Sequence, residues 1–113
     1  MAFFGTTVEL GKQVKFSDLE DALLVAADEM NWEADVKHEF EKRFELGSVR
    51  EVERYRATQV RLKGGFLPVP QMHVSIYNRD HPASFTIYSG FPYGGFASNQ
   101  KVRQYLEAVS RHL

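Results

Sequence analysis

The chain has 113 residues, of which 43% are hydrophobic and 26% are charged, and it contains no cysteine. This length and composition predict one globular domain over residues 1–113, and the lack of cysteine excludes disulfide bonds, thiol catalysis and cysteine-based metal sites. The longest apolar run, residues 22–27, is too short to cross a bilayer. We therefore expect a cytoplasmic protein that does not contact a membrane.

The net charge of −1 is divided unevenly along the chain. Residues 1–36 contain eight carboxylates and two lysines, whereas residues 37–113 contain twelve Lys or Arg and seven Asp or Glu. Such asymmetry is typical of a surface that binds polyanions, or of an acidic helix lying over one side of a sheet. We favour the second interpretation.

The N-terminal third predicts a strand and then a helix. Residues 3–10 alternate between apolar and polar side chains, which is typical of a half-buried strand. Ser17 and Glu20 have the spacing of a capping box, which predicts a helix start there and an end near residues 31–32. The apolar stripe of this helix consists of Leu19, Leu23, Ala26 and Met30.

The middle of the chain allows two interpretations. Residues 36–46 alternate as in a strand, although Val36, Phe40 and Phe44 are also spaced by four. We favour two strands over residues 36–62, because residues 46–48 suit a turn and residues 53–63 lack an apolar stripe at helical period. Pro68 and Pro70 then predict an extended connection outside the sheet ladder.

The C-terminal half predicts a hairpin and a final helix. Residues 71–78 and 84–91 alternate on either side of a turn at residues 79–82. An amphipathic pattern then begins near Ser98 and continues to Leu113.

These elements follow the order β-α-β-β-β-β-α, which predicts an α+β fold. Its single, mostly antiparallel sheet of about five strands would carry both helices on one face. This order resembles the TATA-binding-protein-like fold, in which a curved sheet has two helices on its convex side. The resemblance covers the whole chain and is one of topology, with no sequence motif. It implies an open sheet face, which in that family binds DNA through paired phenylalanines and basic residues, and no functional residue is transferred from it.

Strand alternation separates the two faces of the predicted sheet. The face toward the helices would contain Val8, Phe40, Phe44, Val60, Leu62, Val74, Ile76, Phe85 and Ile87. The opposite face combines aromatic and polar side chains, and its candidate binding residues are Tyr55, Gln59, Arg61, His73, Tyr77 and Tyr88. Tyrosine is favoured where a ring is half buried and its hydroxyl is wet, as at an interface or in a shallow groove. The alternative is that these tyrosines are ordinary cross-strand neighbours.

A glycine pair precedes the last helix. Free amides and the dipole at a helix start favour anions, so Gly94, Gly95, Ser98 and Lys101 form a weak candidate anion site. The alternative, which we favour, is that the two glycines only allow the chain to reverse between strand and helix.

Three functional hypotheses follow. The first is a non-enzymatic binding or assembly protein that uses the polar-aromatic face to contact a partner protein or a second copy of itself. The second is a nucleic-acid-binding protein that uses Arg43, Arg61 and Lys63 with the tyrosines. The third is a small metabolite-binding domain or enzyme with a site near His73 and the Gly94–Gly95 helix start.

Catalytic residues, cofactors and metal ligands are not predicted. His73 and Ser75 share a strand face, but an orienting acid and an oxyanion hole are not recognisable beside them. The four histidines do not have metal-ligand spacing.

Overall fold

The computed structural model confirms the predicted order of elements. It describes residues 5–45, 48–64, 67–77, 81–90 and 94–113, and within these the side chains of 39–57 and of Tyr77 are not described. The elements are β1 (Thr6–Glu9), α1 (Phe16–Glu29), β2 (Glu33–Glu45), β3 (Ser48–Gly64), β4 (Val69–Tyr77), β5 (Ser84–Tyr88) and α2 (Asn99–Arg111).

One antiparallel sheet contains the five strands in the order β1-β5-β4-β3-β2. The helix α1 connects β1 to β2, which are the two edge strands. The four consecutive strands β2, β3, β4 and β5 then form a meander that returns across the sheet to β1. The predicted α+β class with a single antiparallel sheet is thereby confirmed. Its relation to the TATA-binding-protein-like fold stays a prediction.

Both helices pack on the same face of the sheet. Their buried side chains form one cluster with the inward-facing residues of the central strands, which are Val60, Leu62, Met72, Val74, Ile76, Phe85 and Ile87. Val8 is half-buried and packs against the same cluster. The predicted alternation is confirmed for these strands, whereas the predicted inward positions of Phe40 and Phe44 lie outside the described side chains.

The contact between the helices centres on Tyr105, which is fully buried. Its hydroxyl donates a hydrogen bond of 2.9 Å to the carbonyl oxygen of Leu23, and its ring lies 5.6 Å from that of Trp32. Burial raises the pKa of the Tyr105 hydroxyl. A buried hydroxyl without a hydrogen-bond partner destabilises the fold, so the two helices are held in the alignment that brings the Tyr105 hydroxyl to the Leu23 carbonyl.

The two helix starts differ in how well they were predicted. The capping box at Ser17 is wrong: α1 begins at Phe16, and its N-cap, Lys15, makes no side-chain hydrogen bond to the helix. Phe16 is only 7% exposed, so burial of its ring brings residue 16 into the first turn and leaves Ser17 on the surface. The prediction for α2 is confirmed, because Ser98 is its N-cap and accepts a hydrogen bond from the Lys101 amide.

The strands predicted for the middle of the chain are confirmed as β2 and β3. Their register shifts between Glu39 and Glu41, so that Glu39 pairs with Ala57 while Glu41 pairs with Val52. This irregularity lies opposite residues 53–56, where the sequence alternation also fails.

The expectation that Pro70 lies outside the ladder is wrong. Pro70 is the second residue of β4 and pairs with Lys63. The ladder tolerates it because a register shift follows at once, between Leu62 and Lys63, and a bulge can absorb a missing N–H group.

Candidate functional site

The sheet face opposite the helices, which we call the outer face, is crossed by one row of aligned side chains. Arg61 of β3 pairs with His73 of β4, and His73 pairs with Tyr88 of β5. Antiparallel pairs of this kind have Cα atoms about 4.5–5.5 Å apart, so neighbouring side chains of the row can contact one another. Three of the six predicted binding residues are therefore brought together.

An aromatic stack forms the middle of this row. The rings of His73 and Tyr88 are 5.4 Å apart and inclined by 29°. The Tyr88 ring also lies against Gly5, where an added Cβ atom would be 2.8 Å from Cε1 of the tyrosine ring. Gly5 has a φ of +121°, which also favours glycine. The Tyr88 ring is thus in contact with His73 of β4 and with Gly5, the residue just before β1.

A second row of polar side chains runs beside the first. Gln59 pairs with Ser75, and Ser75 pairs with Thr86. Gln59 and Thr86 are half-buried, and Ser75 is buried between its larger neighbours. This row continues the outer face with groups that both donate and accept hydrogen bonds.

Charge on the outer face is balanced. Among the side chains that the structure describes there, the cations are Lys37, Arg61 and Lys63, and the carboxylates are Glu9, Glu33 and Asp35. Two of these carboxylates pair with cations in the ladder, Asp35 with Arg61 and Glu33 with Lys63.

Two of the predicted binding tyrosines are not described beyond their backbone. Tyr77 pairs with Ala57 at the end of β4, and Tyr55 lies in β3. Their side chains are outside the described part of the structure, so their roles stay predictions.

The segment before α2 is held by backbone hydrogen bonds. The amides of Gly94 and Gly95 both donate to the carbonyl of Gly90, while those of Phe96 and Ala97 donate to the carbonyls of Pro70 and Gln71. The segment is therefore tied to the start of β4, and these four amides are used within the fold. The Lys101 amide is likewise used, by the Ser98 side chain.

Glycine at position 94 follows from the same packing. A Cβ atom there would lie 2.3 Å from the carbonyl oxygen of Tyr88, which is shorter than any real contact. Gly95 has a φ of +145° and also approaches Pro70 closely. Backbone packing and conformation thus explain why both positions are glycine. An anion site at Gly94, Gly95, Ser98 and Lys101 stays a prediction.

A pocket of about 370 Å³ lies where this segment meets the first row. Its lining consists of Arg61, Leu62, Lys63, Pro70, Met72, His73 and Gly94. His73 and Gly94, which the sequence suggested as parts of one site, thus border the same pocket, whereas Gly95, Ser98 and Lys101 do not line it. Sequence reasoning missed Pro70 and Met72, although a proline inside a strand pattern is itself a signal of a bulge.

Histidine–carboxylate pairs, which general acid–base chemistry uses, lie elsewhere in the described structure. Nε2 of His38 is 3.8 Å from Glu20 on the helix side, and Nε2 of His112 is 2.7 Å from Glu29 between the ends of the helices. In the same residues there is no group of three or more potential metal ligands. No helix among them has the length and apolarity needed to span a membrane.

The outer face therefore provides contact surface: a stacked ring pair, a row of hydroxyl and amide groups, and a pocket with two cations at one end. Comparisons of the chain with protein-family models, with curated proteins and with solved structures found no match.

Proposed function

We propose that this chain is a non-enzymatic binding protein whose outer sheet face contacts a partner protein. The single observation that supports the proposal is the one-sided packing of the helices, which leaves the row of Arg61, His73 and Tyr88 on the opposite face. Half-buried aromatic rings among polar groups are typical of protein interfaces.

The balance of charge favours a protein over a nucleic acid as the partner. Nucleic-acid binding depends on neutralising phosphates with lysine and arginine, and carboxylates on the same surface oppose it. On the described outer face negative and positive side chains are equal in number, with three carboxylates (Glu9, Glu33 and Asp35) and three cations. Mixed charge instead suits a polar interface rim. The nucleic-acid hypothesis stays the alternative.

Site-specific photo-crosslinking tests the proposal. A photoreactive side chain at Thr86, in the middle of the outer face, should crosslink in cells to one discrete protein. The matched control is the same side chain at Gln104, an exposed position on α2, which should give no such product. Crosslinking to RNA or DNA, equal products from both positions, or no product from Thr86 would each overturn the proposal.

The same experiment tests the predicted homodimer. If the partner is a second copy of this chain, the product from Thr86 will have twice the mass of the chain, and light scattering will show a dimer in solution. A heterologous partner gives a different mass and a monomer. The cytoplasmic location expected from the sequence belongs to the proposal and is tested by fractionating the same cells.

A further inference from the structure

A bulge between the central strands creates the pocket at the end of the outer face. Leu62 pairs with Met72, but Lys63 pairs with Pro70, so Gln71 is an extra residue in β4. The Gln71 side chain fixes this geometry, because its Nε2 donates to the carbonyl oxygens of Gly64 at 3.1 Å and Val69 at 3.3 Å. Bulges of this kind open a ladder locally and are frequent beside binding sites.

The apolar surface that a ligand can reach lies on the rim of the pocket. Leu62 and Met72 belong to the lining, but their side chains face the helices and are only 0% and 1% exposed. Pro70, which pairs with Lys63 in the ladder, is exposed and forms part of the rim together with Gly94. The volume of about 370 Å³ lies at the lower end of the range for small-molecule sites.

The polar part of the lining is cationic. Arg61 and Lys63 border the pocket together with His73, whose Nε2 atom is shielded from solvent. The ion pairs between two described side chains join His38, Arg111 and His112 to carboxylates, and neither Arg61 nor Lys63 takes part in them. Arg61 and Lys63 therefore border the pocket with N–H groups that these ion pairs do not use.

We infer that this pocket binds a small organic anion, a carboxylate or phosphate ester whose oxyanion contacts Arg61 and Lys63 while its apolar part packs against Pro70. Charge-assisted hydrogen bonds from arginine and lysine are the usual means of holding such groups. Glu33 and Asp35 are the ladder partners of Lys63 and Arg61, and together with Asp28 they line a neighbouring pocket that Lys63 also borders. These carboxylates reduce the positive potential at the site, so we expect it to prefer anions of low charge. The inference deepens the proposed function, since Arg61 and His73 belong to the same outer face.

Titration of the ¹⁵N-labelled full-length chain tests the inference, with phenyl phosphate and benzoate as organic probes and inorganic phosphate and acetate as their small counterparts. Ionic strength is kept constant with NaCl, because salt screens non-specific attraction. We expect saturable shifts of the amide signals of Arg61, His73 and Gly94, and tighter binding of each organic probe than of its counterpart. The stronger of the two organic probes then identifies the ligand as a phosphate ester or a carboxylate.

Matched variants assign the binding to the pocket. Lys63→Gln should weaken the organic anion about tenfold, equivalent to about 1.4 kcal/mol, whereas Lys12→Gln, which removes the same charge from an exposed turn, should leave it unchanged. Shifts that do not saturate, or an equal loss in both variants, would overturn the inference.

A third variant separates this inference from the proposed function. Thr7→Arg places a large cation beside Thr86 on the outer face and away from the pocket lining, so it should abolish the product given by the photoreactive side chain at Thr86 yet leave anion binding intact. If Thr7→Arg abolishes anion binding as well, the pocket is not the site. If crosslinking from Thr86 fails while anion binding persists, only the partner proposal is wrong.

Discussion

Replacing Tyr105 with phenylalanine removes one hydroxyl from the contact between α1 and α2 and leaves the ring in place. The lost hydrogen bond is the 2.9 Å contact with the Leu23 carbonyl. A buried neutral hydrogen bond contributes about 1 kcal/mol to the free energy of unfolding, so Tyr105→Phe should be less stable than the wild type by that amount at neutral pH. The midpoint of thermal unfolding should fall by roughly 4 °C.

The same hydroxyl predicts how stability changes in alkali. Burial raises the pKa of Tyr105 in the folded state, whereas the unfolded chain has a tyrosine pKa of about 10. The stabilisation from the neutral hydroxyl is therefore complete below about pH 10 and is lost as the pH rises from there toward the folded-state pKa, by about 1.4 kcal/mol per pH unit. The wild type should lose its advantage of about 1 kcal/mol near pH 10.7, and above that pH the phenylalanine variant should be the more stable.

Urea unfolding followed by circular dichroism between neutral and alkaline pH measures both effects. The matched control is Ile87→Val, which removes one methylene from a residue that is 4% exposed and should cost about 1 kcal/mol without adding or removing a titrating group. Its stability should run parallel to that of the wild type at every pH. A Tyr105→Phe profile that also runs parallel, or that shows no loss at neutral pH, would refute the burial of this hydroxyl between the helices.

Three further substitutions test local contacts. Hydrogen bonds from His112 and Arg111 lower the pKa of Glu29. Any stability from this carboxylate is therefore complete above the ordinary carboxyl pKa and is lost as the pH falls through the lowered pKa. His112→Ala should move the NMR titration midpoint of Glu29 upward, and an unchanged midpoint would contradict the contact. Ser98→Ala should destabilise the protein by about 1 kcal/mol through loss of the α2 cap, while Ser98→Asp should retain stability in urea. Gly94→Ala should cost about 1–3 kcal/mol in the same assay, because its Cβ atom would meet the backbone of Tyr88, and a neutral effect would contradict that close approach.

The local periodicity of the sequence was sufficient to predict most of the fold. Alternation identified the buried positions of β3, β4 and β5 because one face of each strand packs on the helices. The same reasoning failed at the start of α1, where a local capping signal at Ser17 competed with a long-range one. Burial of Phe16 contributes more free energy than a cap on the surface, and the helix begins accordingly.

The candidate site depends on register, which the sequence does not display. The contact of His73 with Tyr88 follows from the hairpin that was predicted, but the pairing of Arg61 with His73 depends on the register between β3 and β4, which shifts between Leu62 and Lys63. This shift makes Gln71 the bulged residue, and Gly94 of a third segment lies beside the same pocket. The pocket is thus made by three chain segments, and none of them reveals it alone.

The topology explains why the outer face is left open to other molecules. Because β1 and β2 are opposite edges of the sheet, α1 must run across the whole of one face to join them. The other helix, α2, then packs beside α1, where Tyr105 reaches the Leu23 carbonyl, so both helices of the described chain cover the same side. The half-buried ring of Tyr88 on the remaining side still exposes apolar surface to water. A partner that covered this ring would remove that surface from water, which is favourable. Under the proposed function the partner covers this face, and the crosslinking position at Thr86 lies where the partner would make contact.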